Sequence, residues 1–242
     1  MRERLLAALD LTSLGEDDAP GAIRALCAKA AAQNVRPAAI CVYPEHIVTA
    51  RTALDEAGAS AVAVATVVNF PDGANDAGRA LRETRRALAA GAVEIDLVFP
   101  WHAYVGGDRE SGALIVSKCK ETCGPRLLKA IIETGELADP LLIREVAGAA
   151  LDAGADFIKT STGRSRVGAT PGAAEVILLA LRERGRGGLK VSGGIRTLED
   201  ARVYLELAER ICGTAWASPA TFRIGSSAIL DDARAQTRMS AQ

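Results

Sequence analysis

Short apolar runs rich in β-branched residues recur along the chain and alternate with longer stretches of helical periodicity. The apolar runs, read as strands, fall at residues 6–12, 39–43, 61–68, 93–99, 127–133, 156–161, 189–192 and 222–225. Between them, segments 21–32, 47–57, 76–90, 110–123, 140–153, 173–184 and 198–210, and a short one from Ser227 onward, carry Ala, Leu, Arg and Glu in amphipathic order. Glycines follow several of these, as in Ala57-Gly58, Ala90-Gly91 and Ala153-Gly154, where helix C-caps are expected. The stretch 211–221 is the least regular. Repeated β–α alternation calls for a parallel sheet. Eight such units in 242 residues predict a closed (β/α)8 TIM barrel of the α/β class, as a single domain spanning 1–242.

Strands of such a barrel are covered on both faces, so polar residues within them are informative. Alternation puts Glu94, Asp96 and Val98 on one face of the fourth strand and Val93, Ile95, Leu97 and Phe99 on the other. Lys129 shares a face with Leu127, Ile131 and Glu133, Lys159 with Phe157 and Ser161, and Asp10 with Thr12, while Lys190 lies opposite Leu189 and Val191. Three lysines thus approach the C-terminal ends of their strands, where active sites of this fold sit, with Asp10, Asp96 and Glu133 as opposite charge. A set of purely structural ion pairs is the competing reading. It is disfavoured because buried pairs rarely add net stability over apolar packing.

These residue types suggest a chemistry. Neighbouring strands lie about 5 Å apart, so Lys159 and Lys190 are expected close enough for one charge to lower the proton affinity of the other amine. A neutral amine attacks a carbonyl to give an imine, and a carboxylate such as Asp96 serves in proton transfer. The turns after the last strands fit a phosphorylated substrate. They read Thr162-Gly163-Arg164 after the sixth, Ser192-Gly193-Gly194-Ile195-Arg196 after the seventh and Gly225-Ser226-Ser227 after the eighth. Glycine lets backbone N–H groups approach an anion, and a following helix N-terminus adds a favourable dipole. A small phosphorylated molecule is the expected ligand.

Composition narrows the alternatives. A 49% hydrophobic content supports a large core, and a net charge of −1 argues against a nucleic-acid or membrane partner. No apolar run reaches the length of a membrane span and the first residues do not resemble a signal peptide, so a soluble, cytoplasmic protein is expected. Six lysines stand against twenty-three arginines, which makes each lysine informative, because lysine alone of the two can give up its proton. The five cysteines are expected as reduced thiols, including Cys119 and Cys123 on one helix. Only His46 and His102 could join them, and not at ligand spacing, so no metal is expected.

The segments LDLT at 9–12, ICVYP at 40–44, NFPDG at 69–73, VEID at 93–96, KAIIETG at 129–135, FIKTSTG at 157–163, KVSGGIRT at 190–197 and FRIGSS at 222–227 resemble the 2-deoxyribose-5-phosphate aldolases. Together they cover nearly the whole chain. The resemblance implies reversible cleavage of 2-deoxy-D-ribose 5-phosphate to D-glyceraldehyde 3-phosphate and acetaldehyde, in deoxynucleoside catabolism, without cofactor. It puts the imine on Lys159, the cation beside it on Lys190 and the proton relay on Asp96, with Asp10, Thr12 and Lys129 as supporting polar contacts and Cys41 lining the pocket. Phosphate contacts would come from Thr162, Gly163, Arg164, Gly193, Gly194, Gly225, Ser226 and Ser227. Relatives of this kind are commonly monomers or dimers, so a homodimer is one expected assembly. The alternatives are a Schiff-base aldolase or transaldolase for another sugar phosphate, and a non-catalytic sugar-phosphate-binding barrel. Three departures stand out: Arg164 where many members carry lysine, Gly-Ser-Ser-Ala after the eighth strand, and an ending Arg238-Met239-Ser240-Ala241-Gln242 without the tyrosine that assists proton exchange in some members.

Overall fold

The computed structural model describes residues 1–240, with side chains through residue 236. The expected tyrosine-free ending at 238–242 therefore lies outside the described side chains. Eight strands, β1 (Leu9–Ser13), β2 (Ala39–Val42), β3 (Ala63–Val68), β4 (Glu94–Val98), β5 (Leu127–Ile131), β6 (Phe157–Lys159), β7 (Gly188–Ser192) and β8 (Phe222–Ser226), pair in parallel in chain order. β8 pairs back onto β1 and closes the barrel. Around it lie α1 (Arg2–Ala7), α2 (Pro20–Ala31), α3 (Ile47–Glu56), α4 (Ala77–Ala89), α5 (Trp101–Val105), α6 (Ser111–Cys123), α7 (Thr134–Leu137), α8 (Pro140–Asp152), α9 (Pro171–Arg184), α10 (Leu198–Cys212) and α11 (Ile229–Ser240).

Local chemistry sets the helix boundaries. Asp76, Asp139 and Thr170 cap α4, α8 and α9 by accepting from backbone N–H groups of the first turn, and Thr197 with Asp200 forms a capping box on α10. Gly58, Gly91 and Gly154 turn the chain with positive φ after α3, α4 and α8, where C-caps were expected.

The first strand begins later than its apolar run suggests. Residues 6 and 7 belong to α1, which buries Leu5 and Leu6 while Arg4 pairs with Glu209 and donates to the Ala217 carbonyl. An apolar run this short fits helix or strand equally well, and tertiary contacts decide. The short helices α5 and α7, directly after β4 and β5, were not anticipated.

Alternation along the strands divides the molecule into two environments. Outward residues such as Leu11, Ile40, Leu97, Ile158, Val191 and Ile224 belong to the main core between barrel and helices. The inward set is different. Ala39, Cys41, Ala65 and Val67 form a small apolar wall on β2 and β3. Elsewhere the interior is charged. Its lower part holds Phe157, whose ring fits only because position 188 is glycine: a Cβ there would meet the ring at 2.4 Å.

Candidate active site

Register brings the inward charges of six strands together. Asp96 lies beside Lys129, Lys159 beside Lys190, and Lys190 beside Arg223. Every one of these side chains is buried, so each must find its opposite charge within the barrel. Asp96 is the hub. Its Oδ1 takes Lys129 Nζ at 2.9 Å, and its Oδ2 takes both Lys159 and Lys190 Nζ at 2.8 Å. Asp10 Oδ2 lies 2.6 Å from Lys190, and its Oδ1 accepts from Arg223 at 2.7 Å. Glu94 joins Lys129 at 2.6 Å to Arg223 at 3.0 Å.

This cage fixes its own charge states. Burial alone would raise the Asp96 pKa, but Lys129, Lys159 and Lys190 outweigh it and hold the carboxyl well below the usual carboxylate range. Asp10 is likewise held low against burial, by Lys190, Lys129 and Arg223. Burial would strip Lys129 and Lys190 of their protons, but Asp96, Glu94 and Asp10 around the first, and Asp10 and Asp96 around the second, hold both above the ordinary lysine value.

The sign of the stability dependence follows. Carboxylates with depressed folded pKa stabilise the fold above their unfolded value, about 3.9, and that contribution is lost as pH falls below it. Lysines with raised folded pKa stabilise it below about 10.4, and that contribution is lost as pH climbs through the folded value. Asp10, Asp96, Lys129 and Lys190 therefore contribute a constant stabilisation between roughly pH 4 and pH 10 that declines on both sides. Chemical unfolding followed by circular dichroism over that range tests it; a steady fall from pH 7 to pH 5 would contradict the cage.

Above the cage, at the C-terminal ends of the strands, opens a cavity of about 410 Å³. Lys159 forms part of its lining; Lys129 and Lys190 do not. The rest of the wall comes from Thr12 and the β1 loop, and from Thr162, Gly163, Arg164, Gly193, Gly194, Gly225, Ser226 and Ser227, together with Ser192 and Arg196. Gly193 and Gly194 have φ of 88° and 84°, which opens their backbone toward the cavity at little steric cost.

A model of the family described as DeoC/LacD family aldolase matches residues 4–216. The chain belongs to this aldolase family. Solved structures agree. An apo structure from Toxoplasma gondii ME49, provisionally named a deoxyribose-phosphate aldolase, superposes with a TM-score of 0.90 at 27% identity, covering 98% of this chain and 96% of that one. A deoxyribose phosphate aldolase from Aeropyrum pernix, described as tetrameric, gives 0.78 at 25%, covering 98% and 93%. An aldolase designated QR15 gives 0.81 at 27%, covering 97% and 98%.

Most residues expected in the site of this aldolase do converge, in two layers. Thr12, Lys159 and all eight expected phosphate contacts reach the cavity, whereas Asp10, Asp96, Lys129 and Lys190 lie beneath its floor. Cys41 does not line the cavity as expected. It is fully buried in the apolar wall on β2, where burial pushes its thiol pKa up. Glu133 also departs from expectation. Its φ of 52° breaks the strand alternation just beyond β5, so its carboxylate accepts from Thr162 N–H and Oγ instead of pairing with a lysine. Glu94 takes that pairing role. Arg223, which the sequence reading passed over, locks the cage from below. Arg164 spans the cavity rim, donating to the Leu14 carbonyl and, at 2.8 Å, to the Tyr43 hydroxyl. The two serines after β8 divide their work. Ser226 donates to the Ile195 carbonyl at 2.7 Å and accepts from Ala228 N–H, whereas Ser227 is exposed.

Among the described residues, no three His, Cys, Asp or Glu side chains are grouped to hold a metal ion, and no helix is long and apolar enough to cross a membrane.

Proposed function

We propose that this aldolase cleaves 2-deoxy-D-ribose 5-phosphate reversibly to D-glyceraldehyde 3-phosphate and acetaldehyde through an imine on Lys159. One observation carries the reading: of the three barrel lysines, Lys159 alone lines the cavity, and its amine shares an Asp96 oxygen with Lys190. It also has the fewest counter-charges. Lys159 contacts one carboxylate, Lys190 two and Lys129 three.

The neutral amine adds to the C1 aldehyde of the open-chain sugar, and loss of water gives the imine. Its cationic nitrogen accepts the electron pair of the C2–C3 bond as the C3 hydroxyl loses its proton, and glyceraldehyde 3-phosphate departs. The enamine carbon then takes a proton, and hydrolysis releases acetaldehyde and the free amine. Asp96, hydrogen-bonded to both amines, orients Lys159 and relays protons with Lys190. The phosphate lies against the N–H groups around Gly193, Gly194 and Ser227, with Arg196 at the rim, and Arg164 turns toward it from the Tyr43 bridge. The names of the relatives support the choice of substrate. The same reading places the enzyme in deoxynucleoside breakdown in the cytoplasm, as a monomer or homodimer working without cofactor.

Incubation with acetaldehyde and borohydride, followed by peptide mapping, tests the mechanism. An ethyl adduct on Lys159 is the expected result, and an adduct confined to another lysine would refute the assignment. Cleavage of a different sugar phosphate only, with the Lys159 adduct intact, would replace the substrate and leave the imine standing.

A further inference from the structure

Seven charged side chains are connected by contacts inside the barrel: three carboxylates, Asp10, Glu94 and Asp96, against four cationic side chains, Lys129, Lys159, Lys190 and Arg223. Apart from the Lys159 amine, which lines the cavity, the set is buried beneath it, so the barrel interior carries an imbalance of one positive charge. Arginine keeps its proton in a protein, so a lysine is the group through which this imbalance can act on the chemistry. Lys129 and Lys190 are held by three and two carboxylates, which leaves Lys159.

We propose that Arg223 and Glu94, which touch neither the cavity nor any reacting atom, are positioning residues that set the pH range in which Lys159 forms its imine, by fixing the charge surplus of the cage. The inference rests on the Lys159 mechanism above and adds residues to it. Arg223 acts through the carboxylates. Its guanidinium occupies Asp10 Oδ1 and both oxygens of Glu94, and its Nε donates to the Pro219 carbonyl at 2.5 Å, so that its charge is fixed in place. Glu94 acts in the opposite sense as one of only three counter-charges.

The other groups facing this space are the same in the parent and in every variant, so they leave the differences between them intact. From β2 comes the Cys41 thiol, which burial keeps protonated. β3 contributes only Ala65 and Val67. Glu133, beyond β5, is buried, binds Thr162 and feels the charge of Lys159 without an ion-pair contact, and no variant alters it.

The two residues carry opposite charge at the same end of the cage, so neutralising them has opposite effects. Arg223→Gln leaves three cationic groups against three carboxylates, every ammonium is compensated, and imine formation should need a more alkaline medium. Glu94→Gln leaves four against two, and imine formation should extend to more acid pH. Each midpoint should move by on the order of one pH unit. The double variant restores a surplus of one and should titrate near the parent. General loosening of the barrel would lower trapping in all three variants without moving the midpoints in opposite directions.

The experiment is reductive trapping of acetaldehyde on the parent and the three variants across the range from about pH 5 to about pH 10, quantified on the Lys159 peptide, with cyanoborohydride as reductant at the acid end. Opposite shifts with the double variant between them support the proposal. Midpoints that stay put or move together, with the Lys159 adduct still forming, overturn it. Absence of any Lys159 adduct in the parent overturns the imine reading instead. Should a glutamine variant fail to fold, NMR of the parent carrying ¹³C-labelled lysine gives the same decision. The proposal requires one barrel lysine neutral and two protonated at mildly alkaline pH, and three protonated lysines overturn it.

Discussion

A Lys159→Met variant is expected to fold at least as well as the parent and to lose aldol cleavage by a factor on the order of 10⁴ or more. The loss follows from chemistry. Without a primary amine in the cavity no imine forms, and nothing else lining the cavity supplies an electron sink for the C2–C3 bond. The retained fold follows from the cage. Lys159 contacts only Asp96, which keeps Lys129 and Lys190, so the substitution removes surplus charge without orphaning a carboxylate. A melting temperature at or above the parent's would match the common exchange of stability for reactivity at active sites. Steady-state cleavage assays and thermal unfolding on the same preparation test both halves. Turnover within tenfold of the parent would remove Lys159 from the mechanism.

Unphosphorylated 2-deoxyribose is expected to react with a kcat/KM lower by a hundredfold or more than its 5-phosphate. Charge-assisted hydrogen bonds to an anion are worth roughly 1.5–3 kcal/mol each, and two of them already account for about that factor. The glycine loops after β6, β7 and β8 offer more than two donors to one side of the cavity. The serines refine the expectation. Ser226 already spends its proton on Ile195, so Ser227 is the hydroxyl free to donate. Ser227→Ala should raise KM for the phosphorylated sugar several-fold with little change in kcat, and should leave the unphosphorylated sugar unaffected. Equal kcat/KM for the two sugars would deny the loops this role.

The fold and the upper part of the site were legible because their signals are local. Strand runs, helix caps and trailing glycines are written within a few residues of where they act. Lys159, Lys190 and Asp96 stood out because charge inside a barrel strand has few explanations. Arg223 was illegible for the complementary reason. One arginine among twenty-three carries no signal, and its partners on β1 and β4 meet it only when the barrel closes. Glu133 misled because strict alternation was carried two residues past the true end of β5, into a left-handed turn that no neighbouring glycine announces. Cys41 was placed in the pocket by resemblance, but no residue of β2 lines the cavity.

The barrel interior also constrains how this sequence can drift. Asp10, Glu94, Lys129, Lys190 and Arg223 each answer to at least two opposite charges, so losing any one leaves every partner another counter-charge but unbalances the charge of the interior. Single steps at these positions therefore cost stability, while a paired loss of Glu94 and Arg223 to apolar residues costs less, since it removes one charge of each sign. Such a lineage would pass through a less stable intermediate whichever change came first, unless the chain already had stability to spare. A survey that substitutes one residue at a time would score the whole cage as indispensable, although part of it is exchangeable as a unit.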